Sequence, residues 1–179
     1  MLAKSDIEKY FVAEKQESLF ITCVGILAVA LAMIGLFVFK TQFWKGAAIP
    51  LIAIGLVQII VGINVYRRSD ADRIRVVYAY DMDRTVLKEK ELPRMVIVDK
   101  NFGVYRWFQI MLLIVGLVLV FYNKTFMDRE SSFENMKESY KVGVGVALII
   151  QSIILLSADY FAEKRAHLYT EQLKQFVKK

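Results

Sequence analysis

The chain carries few groups that could do chemistry. It has one His and one Cys in 179 residues. His167 lies four residues after Glu163, a spacing that puts both on one helix face. Two ligands do not make a catalytic or structural metal site, and the pair reads as solvated charge on a helix. Cys23 has no second thiol, so thiol–disulfide exchange is not expected and the residue reads as a small packing group. Asp70-x-Asp72 and Asp81-x-Asp83 could hold a hard cation against phosphate. Neither belongs to an EF-hand loop, and Arg73 and Arg84 follow directly, so these pairs also read as solvated charge. The sequence has no phosphate-binding glycine loop and no serine-nucleophile motif. No enzymatic activity, metal site or cofactor is therefore expected.

The elements that must position these residues are set by where charge is missing. Four stretches carry none: Ser18–Phe39, Gly46–Tyr66, Trp107–Asn123 and Val142–Ala158. As helices they would be ~33, ~32, ~26 and ~26 Å long, against a hydrocarbon core of ~30 Å. None alternates apolar with polar residues, which excludes barrel strands, and lipid cannot satisfy a bare backbone. The net charge of +6 alone would suit nucleic acid, but the distribution of the charges points to a bilayer instead, and no nucleic-acid partner is expected. The segment before the first stretch mixes Lys4, Lys9 and Lys15 with four acids, which is not the basic leader of a cleaved signal peptide.

The fold class that follows is an all-α integral membrane protein with four transmembrane helices in two helical hairpins. It forms a single membrane domain over residues 1–179, with spans at about 18–39, 46–66, 104–123 and 141–162. Lys and Arg number 18 over the N-terminus, the 67–106 region and the tail, but only 6 on the opposite side. This bias places both termini and the 67–103 connection in the cytoplasm. The expected location is multi-pass, in a bacterial inner membrane. Lys40–Lys45 is read as a six-residue outer turn, with Pro50 in the opening turns of the second helix. The second outer loop, 123–140, holds a capping box at Ser131-x-x-Glu134, which starts the fourth helix near Ser132.

On the cytoplasmic side, Ala162, Ala166, Tyr169, Leu173 and Phe176 form an apolar stripe on a helix over 163–179. A capping box at Ser5-x-x-Glu8, with Ile7 and Phe11, starts the first helix. Glu91–Leu92–Pro93 reads as a helix start, followed by Met95, Val98 and Phe102 on one face. Arg73–Tyr80 is read as helix. These segments are expected to gather into a small cytoplasmic bundle.

Polar groups at membrane depth carry weight because each is costly there. Gln58 and Gln151 fall near mid-span and are read as helix-to-helix hydrogen-bonding residues. Asn64, Gln109 and Asp159 fall near the inner border. Asp159 is expected to be ionised and balanced by Arg106. Helix packing is expected at Gly25, Ala28, Ala32 and Gly35 on the first helix, and at Gly143 and Ala147 on the fourth. The third helix has only Gly116 among bulky aliphatics and is expected to face lipid or a partner.

In size, span number and cytoplasmic termini, the chain resembles the integral-membrane immunity proteins of pore-forming bacteriocins. The resemblance is one of topology and implies a non-enzymatic protein that recognises a membrane-active toxin. The expected partners are the lipid bilayer and either another protein or a second copy. Two other functions fit the same residues: a subunit of an oligomeric channel or transporter with Gln58, Asn64 and Gln151 along its path, and an enzyme acting on lipid head groups through the acidic pairs with Arg67, Arg68 and Arg73.

Overall fold

Almost every described residue lies in one of four long helices, and no strand occurs among the described residues. The computed structural model describes residues 2–124 and 132–178, with side chains outside 123–138. Helix α1 is Lys4–Ile34, α2 is Gln42–Met82, α3 is the short Arg84–Val86, α4 is Leu92–Lys124 and α5 is Ser132–Val177. Wide π-turns follow α1 at Gly35–Phe39 and precede α4 at Leu87–Glu91. Four helical runs, Lys4–Phe39, Gln42–Met82, Arg84–Tyr122 and Ser139–Val177, are long and apolar enough to cross a membrane.

Several boundaries differ from the sequence reading, each for a local reason. The turn after α1 is only Lys40 and Thr41, and Phe43–Lys45 belong to α2. Thr41 stops the turn early because its Oγ1 accepts from the Trp44 backbone N–H at 3.4 Å, an N-cap. Lys40 takes the left-handed conformation, φ 54°, and its N–H closes on the Gly35 carbonyl at 3.0 Å. The Trp44 ring lies where a side chain on Gly35 would sit, so that glycine permits the close turn. Because α2 starts at Gln42, Pro50 lies in the helix interior. There its missing N–H withdraws a donor from the Gly46 carbonyl.

Helix α1 begins at Lys4, so Ser5 is not its cap. Asp6 accepts from the Ala3 backbone N–H at 3.0 Å instead. The helical run into α4 starts at Asp83, whose side chain accepts from the Thr85 N–H at 3.0 Å. Pro93 therefore follows a helix start rather than making one. It comes two residues after the π-turn, where the regular ladder is already broken. Residues 73–80 are helical as expected, and α5 begins at Ser132. The Ser131 half of its capping box lies outside the described residues.

The chain divides into two compact units. One, here the charged unit, comprises Met1–Phe20, Val61–Arg106 and Ser157–Lys179. Its core joins Ile7, Phe11, Val76, Leu87, Met95, Tyr169 and Leu173, with Val98, Phe102 and Phe176 packed against them. The stripes expected on separate segments thus meet. Tyr10 stacks on Tyr169 with ring centroids 4.5 Å apart, and Tyr80 stacks on Phe176 at 5.2 Å.

The apolar unit comprises Ile21–Ile60 and Trp107–Leu156. Its buried apolar side chains are mostly small, Ala28, Ala32, Ala47, Ala48 and Ala147, with Leu148 the larger exception. Three reciprocal contacts join its helices through backbone. A Cβ on Gly25 would come 2.6 Å from the Gly55 carbonyl oxygen, and one on Gly55 would come 2.9 Å from that of Gly25. Gly116 and Gly145 face each other in the same way across α4 and α5, at 2.8 and 2.7 Å. Between α2 and α5, Gly46 abuts the Tyr140 carbonyl and Gly143 abuts that of Phe43. Any side chain at these positions would separate the helices.

Candidate functional site

Two polar clusters are built into the interior, one in each unit. In the apolar unit the two glutamines meet: Gln58 Nε2 donates to Gln151 Oε1 at 3.0 Å. Both are almost fully buried. Gly25 makes room for this pair, since a Cβ there would come 3.0 Å from Gln58 Cβ. Gln58 Oε1 and the fully buried Ser152 Oγ have no hydrogen-bond partner. Gln109 and Thr22 are also buried in this unit. Asn64, by contrast, is exposed and belongs to the charged unit.

The cluster in the charged unit was not anticipated as a site. Glu91, 2% exposed, accepts from Arg94 Nε at 3.0 Å and Nη2 at 2.6 Å. Tyr169 Oη donates to it at 3.4 Å, and Arg75 approaches to 3.7 Å. The Arg94 guanidinium lies over the Phe11 ring, 5.6 Å from its centroid. Burial pushes the Tyr10 and Tyr169 phenols well above their usual range, so both stay protonated. The arrangement holds one carboxylate from several sides. Its chemistry is that of a buried ion pair, which helps fix a single packing. A sequence signal existed: Glu91 sits one helical turn before Met95, on the face shared by Val98 and Phe102.

At the border between charged and uncharged sequence, Arg106 was expected to balance Asp159. Its Nη1 instead donates to both oxygens of Glu163, at 3.0 and 2.9 Å. Glu163 is one turn further along α5 on the same face, so spacing alone could not choose between the two acids. Asp159 is half-buried and acts electrostatically on Glu17. Burial raises the Glu17 carboxyl above the usual range; Arg165, its ion-pair partner, opposes this, and Asp159 and Glu14 add to it.

The acidic pairs are engaged within the fold. Asp70 is bound by Lys15, Asp72 by Arg75 at 2.9 Å and Asp81 by Lys4 at 2.7 Å, while Asp83 caps α3. His167 pairs with Asp99 at 3.2 Å, so it and Glu163 take different partners. Among the described residues, no group of three His, Cys, Asp or Glu side chains could hold a metal ion. Of the expected packing residues, Ala28, Ala32, Gly35 and Ala147 are buried, and Gly25 and Gly143 make backbone contacts. Gly46, Gly55 and Gly145 make equivalent contacts and were not anticipated. No known protein family, curated protein or solved structure matches the chain.

Proposed function

We propose that the chain is a four-span protein of a bacterial inner membrane that acts by binding another protein rather than by catalysis. In this reading both termini and residues 67–103 are cytoplasmic. The observation that carries it is uneven burial. Only 11% of the most apolar stretch of α4 is buried within the fold, against 28%, 39% and 33% for α1, α2 and α5. Met111, Ile114, Val118 and Phe121 of α4 form a bulky outward ridge without small residues. A membrane-inserted helix of a partner could pack against that ridge at depth. In its sharpest form the protein is an immunity factor that occupies a membrane-active toxin before it opens a pore.

The test is to express the chain in bacteria sensitive to pore-forming bacteriocins and follow membrane potential after challenge with a panel of such toxins. Protection from one of them, reduced by Ile114→Ala with Val118→Ala, is expected. Failure to protect against any panel member removes the immunity reading. Topology is tested in a Cys23→Ala background: an impermeant thiol reagent added outside should label Ser131→Cys and miss Lys100→Cys. The opposite pattern overturns the orientation. A channel or transporter subunit is the second reading, favoured by the buried, unpartnered oxygens of Gln58 and Ser152. Flux through proteoliposomes that Gln58→Leu or Gln151→Leu abolishes would put it ahead.

A further inference from the structure

Helices α1 and α2 run antiparallel in the charged unit and are tied at two levels. Lys4 pairs with Asp81 at 2.7 Å, and Lys15 pairs with Asp70. On each helix the two tied positions are about three turns apart, so both ties lie on one face. That face carries an open groove of about 450 Å3 with the Lys4–Asp81 pair at one end. Glu8 of α1 lines it, with Arg73, Ile74, Val77 and Tyr78 of α2. Ile74 and Tyr78 are both 66% exposed, and Val77 is half-buried. Lys4 and Asp81 neutralise each other, and Arg73 is held 3.6 Å from Asp70. Glu8 is exposed and, among the described residues, has no hydrogen-bond or ion-pair partner; it acts on Lys4, four residues before it, only electrostatically. The groove therefore presents apolar walls, an aromatic ring and one uncompensated carboxylate.

We propose that this groove binds a basic side chain, arginine foremost, carried between apolar residues on a segment of a partner protein. The inference goes beyond the α4 contact proposed above and does not depend on it. Charge complementarity selects the central group: a cation offsets Glu8, and a guanidinium can also lie over the Tyr78 ring. The fold uses the same kind of contact elsewhere on α2, where Lys15 Nζ lies 4.7 Å from the Tyr66 ring centroid. Exposure selects the class of occupant. A small ligand is held when ~70–90% of its surface is covered, which walls as exposed as Ile74 and Tyr78 cannot do. A polypeptide can instead spread its flanking apolar side chains over Ile74, Val77 and Tyr78. A second copy docked groove to groove about a two-fold axis would set Glu8 against Glu8, which is unfavourable. In the proposed orientation lipid does not reach the walls. Ile74 and Tyr78 follow Tyr66 by eight and twelve positions on α2, ~12 and ~18 Å along the helix and beyond a head-group layer ~5–8 Å deep.

The probe is a fluorescent peptide with a Leu-Arg-Leu core, its anisotropy read against the full chain in nanodiscs of zwitterionic lipid. Saturable binding is expected. Citrulline in place of the arginine keeps the shape and removes the charge, so it loses both the ion pair and the ring contact. It should weaken binding about tenfold. Glu8→Gln and Tyr78→Leu each remove one of the two contacts and should cost about threefold apiece, leaving binding of the citrulline peptide unchanged. Because Glu8 and Tyr78 are exposed, both variants keep the fold. Glu8→Lys should reverse the preference, toward a Leu-Glu-Leu peptide. No binding, or equal binding of the arginine and citrulline peptides, overturns the proposal. So does shielding of a Tyr78→Cys label, in a Cys23→Ala background, from an aqueous quencher when phosphatidylglycerol is added to the nanodisc, which would mean lipid covers the groove. Energy transfer between labelled copies that Glu8→Lys abolishes would give the groove to a second copy and overturn it too.

Discussion

The two compact units pack by different rules. The charged unit buries large side chains, Ile7, Phe11, Leu87, Met95 and Leu173, and encloses a Glu–Arg pair. The apolar unit leaves Leu27, Phe37, Ile60, Ile114 and Val118 exposed and, apart from Leu148 and its buried glutamines, buries mainly alanine and glycine. In water, burying a large apolar side chain stabilises by ~1.5–3 kcal/mol, so such residues collect inside. In lipid that gain vanishes, because acyl chains are as apolar as leucine, and close backbone approach at small residues takes over. The contrast between the units is the one that two different solvents would select, and it supports the membrane reading.

The contrast can be broken from either side. The largest effect is expected at Glu91. Glu91→Ala leaves Arg94 without its anion and should cost ~3–5 kcal/mol in denaturant unfolding, with the lower end favoured because Arg94 is partly exposed. Glu91→Leu with Arg94→Leu should recover most of this loss. An additive double variant would show that the pair is not coupled.

In the apolar unit, Gly46→Ala places a methyl on the Tyr140 carbonyl and should cost ~1–3 kcal/mol. The control is Gly103→Ala, which meets nothing within 4 Å and should gain ~0.5–1 kcal/mol from helix propensity. If both glycines respond alike in a steric-trapping measurement in bicelles, backbone packing is not what holds the unit.

Gln58→Leu should cost ~0.6–2 kcal/mol, the range for a hydrogen bond between membrane helices. The smallest effect is expected at Glu17, whose carboxyl pKa is raised by burial. The fold then binds this proton more readily than the unfolded chain. Between the raised value and the ordinary value near 4.5, lowering the pH should stabilise wild type relative to Glu17→Gln. Thermal midpoints of the two proteins across pH 7 to 4.5 give the sign. A relative loss for wild type on acidification would reverse the assignment.

Much of the helical scaffold was legible because it depends on local pattern. Missing charge marked the four long apolar helices, and the 3-4 spacing of Ala166, Tyr169 and Leu173 marked a buried face. The packing glycines were half legible. Gly25 and Gly35 stood out on a stripe of small residues, whereas Gly46, Gly55 and Gly145 matter only through the carbonyl each one meets on another helix. The same limit explains Arg106: Asp159 and Glu163 share a face, and tertiary register decided between them. Glu91 was missed for a different reason. Pro93 beside it suggested a helix start, although Asp83 had already begun the helix.

The π-turn at Leu87–Glu91 makes chain length itself a constraint. Its N–H of Leu92 reaches back to the Leu87 carbonyl, one residue further than in an α-helix. Such a turn is what a one-residue insertion leaves in a helix when neither flank can shift. Deleting Lys88 would restore a regular ladder and rotate everything before it by about 100°. Leu87 would then swing out of the core while Met95 stayed inside. Substitutions among the solvated residues of this turn should therefore be tolerated far better than the loss of any one of them.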